Sequence, residues 1–303
     1  MGRTSLEVIA DYLPERLRNA VLLTSPANRS KLSEVRLYNG RGLALVYPSR
    51  ICFTDTHGRL CSKLADVDLM VTSAEISETV SKLCHYSVHS CQRELRQGFF
   101  VIENGIRVGV SGVYSESGVI GDVTSLNFRV AREVKGCAER IVGRVPFGSS
   151  LLICGGVNSG KTTVLRDVCR IYGELFKCSL IDERNELSGT VDGVPTCDTG
   201  TLTDVIVGLD RAGGIASAIR TLSPYMVFCD EISENSDSQA ILSGFGSGVR
   251  FTATVHAESF EDLSRRKFIS ELVSAGVFDY AVFLTGSDSP SSVREIRRLA
   301  KSA

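Results

Sequence analysis

No stretch of this 303-residue chain holds the ~20 consecutive apolar residues that a bilayer-spanning helix needs. The first residues, MGRTSLEVIADYL, lack the basic segment and apolar core of a secretion signal. Leu6 stands where an N-myristoylated chain carries Ser or Thr. Charge of one sign is also missing. Lys and Arg number 34 against 35 Asp and Glu, a net charge of −1, which argues against binding a polyanion through bulk charge. The ten cysteines include no C-x-x-C pair. Without a secretion signal they read as reduced thiols packed as small hydrophobes. There is no tryptophan, no internal repeat and no low-complexity tract. What remains is ordinary for a globular protein, with 43% hydrophobic and 23% charged residues, and long enough for one large or two medium domains.

Two styles of patterning divide the chain. Leu6, Ile9, Leu13, Leu17 and Ala20 fall at helical spacing and predict one helix from Leu6 to Ala20. Residues 35–46 read as a hairpin around Asn39-Gly40, 51–60 as another, and 99–113 as a third around Asn104-Gly105. Thr72 and Glu75 form a capping box that opens a helix running to about Cys84. A further helix spans Cys91 to Arg96, and 127–134 reads as a strand. The expectation is an N-terminal α+β domain over 1–140, a Pro/Gly/Ser linker over 141–150 and a second domain over 151–303. In that second domain, short apolar runs at 151–154, 179–182, 225–229, 250–255 and 280–284 alternate with helical stretches. This is the pattern of a parallel sheet covered on both faces.

Gly155-Gly156-Val157-Asn158-Ser159-Gly160-Lys161-Thr162-Thr163 fits G-x-x-x-x-G-K-[ST], with an apolar strand before it and a helix after it. Glycines let backbone N–H groups turn inward around phosphate oxygens, and a helix N-terminus adds partial positive charge. Lys161 is then placed for the β- and γ-phosphates of ATP, and the Thr162 hydroxyl for Mg²⁺. Three later strands end in polar groups that a parallel sheet delivers to the same edge. Asp230-Glu231 closes YMVFC: Asp230 suits Mg²⁺ held through water, and Glu231 a general base for the attacking water. Asp182-Glu183 closes SLI, and His256 closes TATV. The plain alternatives are an exposed acidic turn, a salt-bridge cluster with Arg184, and a structural histidine.

Other constellations are weaker. Cys84, His85, His89 and Cys91 have the ligand types of zinc but no standard closed spacing. Arg36, Arg107, Arg129 and Arg132 sit on strand-like segments before the linker. Arg107 and Arg129 are the preferred candidates for charge neutralisation at a neighbouring subunit's nucleotide, with surface hydrogen bonding the alternative. The basic stretch 294–301 reads as a solvated end.

The strings GGVNSGKTT, LIDERNE, LSPYMVFCDEIS and TATVHAES, in that order, resemble the phosphate loop, acidic box, Walker B segment and histidine box of the type II and type IV secretion ATPases and pilus motors. With SEVRLYNGRGL, ELRQGFFVIENGIRVGVSGV and SLNFRVAREVKG, residues 6–299 are most similar to the stage III sporulation protein AA family of endospore-forming bacteria. The resemblance implies a RecA-like ATPase fold of the P-loop/AAA+ type behind a smaller N-terminal domain. It implies a hexameric ring, ATP and Mg²⁺ as cofactors, and membrane proteins of a mother cell–forespore channel as partners. It assigns Lys161 and Thr162 to the nucleotide loop, Asp182 and Glu183 to the acidic box, Glu231 to Walker B and His256 to the histidine box; Arg107 and Arg129 match interface arginines. Residues 200–214 and Ser233 depart from the family pattern. A nucleic-acid motor and a low-turnover ATP-binding scaffold are the rival readings; the first lacks a basic-aromatic stripe.

Overall fold

A computed structural model describes residues 3–299 except 88–90, 117, 119, 131–133, 234 and 288. Arg132 and His89 therefore lie outside the described residues. The chain divides into two compact units, 1–132 and 133–303.

In the first unit, helices α1 (Ser5–Tyr12), α2 (Glu15–Leu23), α3 (Pro26–Arg29), α4 (Ser73–Leu83) and α5 (Gln92–Gln97) accompany strands β1 (Glu34–Tyr38), β2 (Ala44–Tyr47), β3 (Arg50–Thr54), β4 (Leu60–Cys61), β5 (Phe99–Ile102), β6 (Ile106–Tyr114) and β7 (Ile120–Arg129). The strands form one antiparallel sheet in the order β4-β3-β2-β1-β7-β6-β5. The helix expected over 6–20 is two helices, because Pro14 has no N–H to donate and its ring crowds the preceding turn. Ile9, Leu13, Leu17 and Val21 still bury together against Leu37, Ile76 and Phe128. Thr4 and Thr72 each cap a helix through a reciprocal box with Glu7 and Glu75. Burial and the neighbouring Cys91 thiol push the Cys84 thiol up to about 12, so it packs as an apolar group.

The second unit contains α6 (Glu139–Val142), β8 (Leu151–Cys154), α7 (Lys161–Tyr172), β9 (Cys178–Asp182), β10 (Thr203–Val207), α8 (Arg211–Leu222), β11 (Met226–Cys229), α9 (Asn235–Gly246), β12 (Arg250–Val255), α10 (Phe260–Arg265), α11 (Lys267–Ser274), β13 (Tyr280–Leu284) and β14 (Val293–Arg298). Its sheet runs β10-β9-β11-β12-β8-β13-β14, parallel except for β14. The central strands are buried along their length, so successive residues serve opposite faces. Leu151 and Ile153 pack with Val164, Val168 and Tyr172 of α7 on one face. Leu152 and Cys154 pack with Ile215, Ile241 and Phe251 on the other. This is the RecA-like arrangement. Among the described residues no helix is long and apolar enough to cross a membrane.

Residues 141–150, expected as a linker, belong to the second unit. Ala138, Ile141 and Val145 are buried in its core, and Ala138 N–H donates to Asp167 Oδ2 at 2.8 Å. Pro146, Gly148 and the serines mark a tight lead into β8 that the sequence pattern cannot tell from a tether. Ile141→Ala should therefore cost about 2–5 kcal/mol, as in other cores, read as a lowered melting midpoint. A tether residue would tolerate the change within about 0.5 kcal/mol.

Candidate nucleotide site

The loop 155–160 leaves the C-terminal end of β8 and delivers Lys161 and Thr162 as the first residues of α7. Two positions need glycine for identifiable reasons. Gly160 has φ +87°, and a Cβ there would lie 2.5 Å from the Ser291 nitrogen; a Cβ on Gly155 would meet Ser159 Oγ at 2.3 Å. Asn158 also takes a left-handed φ, as asparagine tolerates. The buried Ser159 hydroxyl donates to Gly156 O at 2.9 Å, and Ser291 N–H donates to Ser159 O at 2.8 Å. The turn between β13 and β14 thus braces the loop from outside. Lys161 Nζ donates to Gly155 O at 3.0 Å and Gly156 O at 2.8 Å. Burial pulls the Lys161 ammonium below its ordinary range, against Asp230 and Glu231, which favour its charge.

Asp230 and Glu231 follow β11, and the parallel register that pairs Cys229 with Ala253 sets Asp230 beside Thr254. Thr162 Oγ1 donates to Asp230 Oδ2 at 2.7 Å, and the Thr254 hydroxyl donates to Asp230 Oδ1. Thr254 Oγ1 also accepts the Glu231 N–H at 2.7 Å. Thr254 is therefore the joint on which both acidic residues are set, a role that reading the sequence misses although T-x-T at a strand end is its signal. Thr254→Val keeps the shape and removes the joint. It should destabilise by about 1–3 kcal/mol and raise the Mg²⁺ concentration needed for half-maximal nucleotide binding, measured by titration.

At the acidic end of β9, Asp182 is tied into its own loop. Its carboxylate accepts the N–H groups of Glu186, Leu187 and Ser188 at 2.9, 3.1 and 2.8 Å, and the Ser188 hydroxyl at 2.7 Å. A carboxylate has about four acceptor positions. Asp182 is 3% exposed, with three of these bonds on Oδ2 and one on Oδ1, so it fastens the loop after β9. Glu183 is the acid that turns outward from this strand. Its Oε2 accepts Arg211 Nη1 at 2.8 Å. Arg211, the first residue of α8, also donates through Nε to Asp237 Oδ2 at 3.1 Å and through Nη2 to Ser233 Oγ at 3.2 Å. Sequence reading missed Arg211; its only signal is the N-cap Asp210 before it.

Thr162, Asp182, Glu183, Arg211, Asp230 and Glu231 line one cavity of about 90 Å³. His256 follows β12 at the same edge, half-buried, where Val255 O accepts the Gly155 N–H at 3.4 Å. Thr163 lies one residue deeper in α7, and its carbonyl accepts the Cys137 thiol. The oxygen donors Thr162 Oγ1 and Asp230 Oδ2 fit a hard divalent cation such as Mg²⁺ shared with phosphate oxygens. In the first unit, the Arg107 guanidinium lies 3.9 Å from the Phe99 ring centroid, Arg36 faces Glu34 at 3.7 Å, and Arg129 is exposed at the end of β7.

Comparison with known proteins gives the same fold and a family. Among solved structures, the pilus retraction motor PilT with bound ADP superposes with a TM-score of 0.59, at 12% identity over 83% of this chain and 74% of PilT. The Legionella pneumophila ATPase DotB gives 0.56, at 14% identity over 93% of this chain and 76% of DotB. The uncharacterized protein ycf45 of Cyanidium caldarium is 28% identical over 50% of this chain and 47% of its own length. Stage III sporulation protein AA of Bacillus subtilis is 30% identical, covering 95% of this chain and 94% of that protein. The sequence profile of the family described as sporulation stage III, protein AA matches residues 4–300, and the chain belongs to that family.

Proposed function

We propose that the second unit binds Mg²⁺ and ATP on residues 155–163 and hydrolyses the nucleotide. The observation that carries this is the convergence of Thr162 and Thr254 on Asp230, beside Lys161, with Glu231 on the same cavity wall. Lys161 and the N–H groups of the loop bind the phosphates, Thr162 and Asp230 hold the cation, and Glu231 takes the proton of the attacking water. His256 stands by the γ-phosphate. Arg107 and Arg129 of the first unit act on a neighbouring copy's nucleotide in a hexameric ring. The ring sits in the mother-cell cytoplasm, docked on membrane proteins of a sporulation channel, and its turnover energises that channel. Family membership and the folds of DotB, an ATPase, and PilT, a pilus motor, support this reading. Phosphate release from Mg·ATP by wild type and Lys161→Ala tests it. Release by wild type that Lys161→Ala abolishes is expected; equal release, or none by wild type with its partners present, removes the enzymatic reading.

A further inference from the structure

The phosphate loop occupies the edge of the second sheet where its parallel strands end. At the opposite edge, where those strands begin, aromatic side chains form a stack whose two outer rings are exposed and whose middle ring is half-buried. Phe147 precedes β8, Phe176 precedes β9 and Tyr225 precedes β11. Phe147 and Phe176 have ring centroids 5.5 Å apart, and Phe176 stacks on Tyr225 at 4.4 Å. Phe147 is 45% exposed, Tyr225 39% and the adjoining Leu175 68%. Single exposed apolar side chains need no explanation; a contiguous set does.

Cations outnumber acids around this stack, with Arg144, Lys177, Arg250 and Arg298 against Asp279 and Glu174. Arg144 and Lys177 are exposed beside it, the Arg250 guanidinium lies 5.8 Å from the Tyr225 ring centroid, and Arg298 ends β14 at the same edge. Asp279 pairs with Arg250 at 3.2 Å, and Glu174 accepts the Thr201 hydroxyl at 3.1 Å and keeps its charge. A chain of net charge −1 thus presents a cationic, aromatic edge. The floor beneath is knit by backbone bonds, Tyr225 N–H to Lys177 O at 2.8 Å and Arg250 N–H to Tyr225 O at 3.0 Å. Phe147, Arg250, Tyr280 and Arg298 also line a cavity of about 590 Å³.

We propose that this edge docks directly on an anionic lipid surface, with Phe147, Leu175 and Tyr225 entering the headgroup region and Arg144, Lys177, Arg250 and Arg298 facing lipid phosphates. Aromatic rings and cations side by side are what a bilayer interface retains. Each cation near such a surface contributes about a fivefold gain in partitioning. The edge is separate from the phosphate loop, so the inference stands or falls apart from nucleotide hydrolysis.

Flotation of the full chain with vesicles of phosphatidylcholine, with and without phosphatidylglycerol, tests it. Expected is binding to the anionic vesicles alone, weakened as salt is raised. Arg144→Ala with Lys177→Ala should lower partitioning about 25-fold at an unchanged melting midpoint. Leu175→Ser, which leaves the ring stack intact, should weaken binding further at high salt. No binding to anionic vesicles, or equal binding by the Arg144/Lys177 variant, overturns the proposal. Retention by immobilised polyglutamate but not by vesicles also overturns it and assigns the edge to an acidic protein.

Discussion

Replacing Glu231 by glutamine should leave nucleotide binding close to wild type and lower steady-state hydrolysis of Mg·ATP by about 10²–10⁴-fold, the usual contribution of a positioned general base. The geometry separates Glu231 from its neighbour. Asp230 has both carboxylate oxygens tied to threonine hydroxyls, so it is held fixed. Glu231 is anchored by its backbone, N–H to Thr254 Oγ1, while its exposed side chain stands on the cavity wall. Its φ is +47°, a left-handed conformation that costs a non-glycine residue about 1–2 kcal/mol. That strain gives a second readout. Glu231→Gly relieves it, so the melting midpoint should hold or rise while hydrolysis falls as in the glutamine variant. Nucleotide affinity is read by fluorescence titration and turnover by phosphate release. Wild-type turnover in Glu231→Gln would remove Glu231 from the chemistry.

Both outcomes rest on residues that sequence alone brought forward, and the reason is physical. A phosphate loop is a local device, with every group inside nine consecutive residues, so 155–163 is legible without a fold. The ends of β9, β11 and β12 are legible as neighbours on one sheet edge because apolar runs alternating with helices predict a parallel sheet, although each end also has a plain structural reading. What the sequence hides is pairing over distance. Thr254 matters because it lies opposite Asp230 in a register between strands 24 residues apart. Asp182 looks like Glu183's twin until the loop after β9 folds back and donates to its carboxylate. The edge strands β10 and β14 escape notice because neither has a fully buried residue and both carry charge, so 294–298 reads as a solvated end although it pairs antiparallel with β13. In the first unit, the period that predicts one helix over 6–20 is real on both sides of Pro14, and only the missing N–H divides it.

Arg211→Ala should be the most destabilising single change in the second unit outside its apolar core. Burial acts against the Arg211 charge, yet Asp237 and then Glu183 outweigh it and hold the guanidinium above its ordinary range. The two partners are not equal. The Asp237 side chain is 5% exposed, whereas Glu183 is 37% exposed and screened by water. Removing the guanidinium strips a buried carboxylate of its counter-charge, which costs about 3–5 kcal/mol. For a unit of this size that corresponds to about 6–20 °C in the melting midpoint. Glu183→Gln should cost less than about 1 kcal/mol. The double change Arg211→Ala with Asp237→Asn leaves no buried charge behind, so it should melt above the Arg211→Ala single variant. If the single and double variants melt together, the ion pair is not what holds this region. Turnover should fall in the single variant as well, because Asp237 Oδ2 also accepts the Ser233 N–H at 3.2 Å. Arg211 therefore fixes both ends of the segment that leads away from Glu231, and under the proposed mechanism its loss loosens the Glu231 carboxylate that is to act on water.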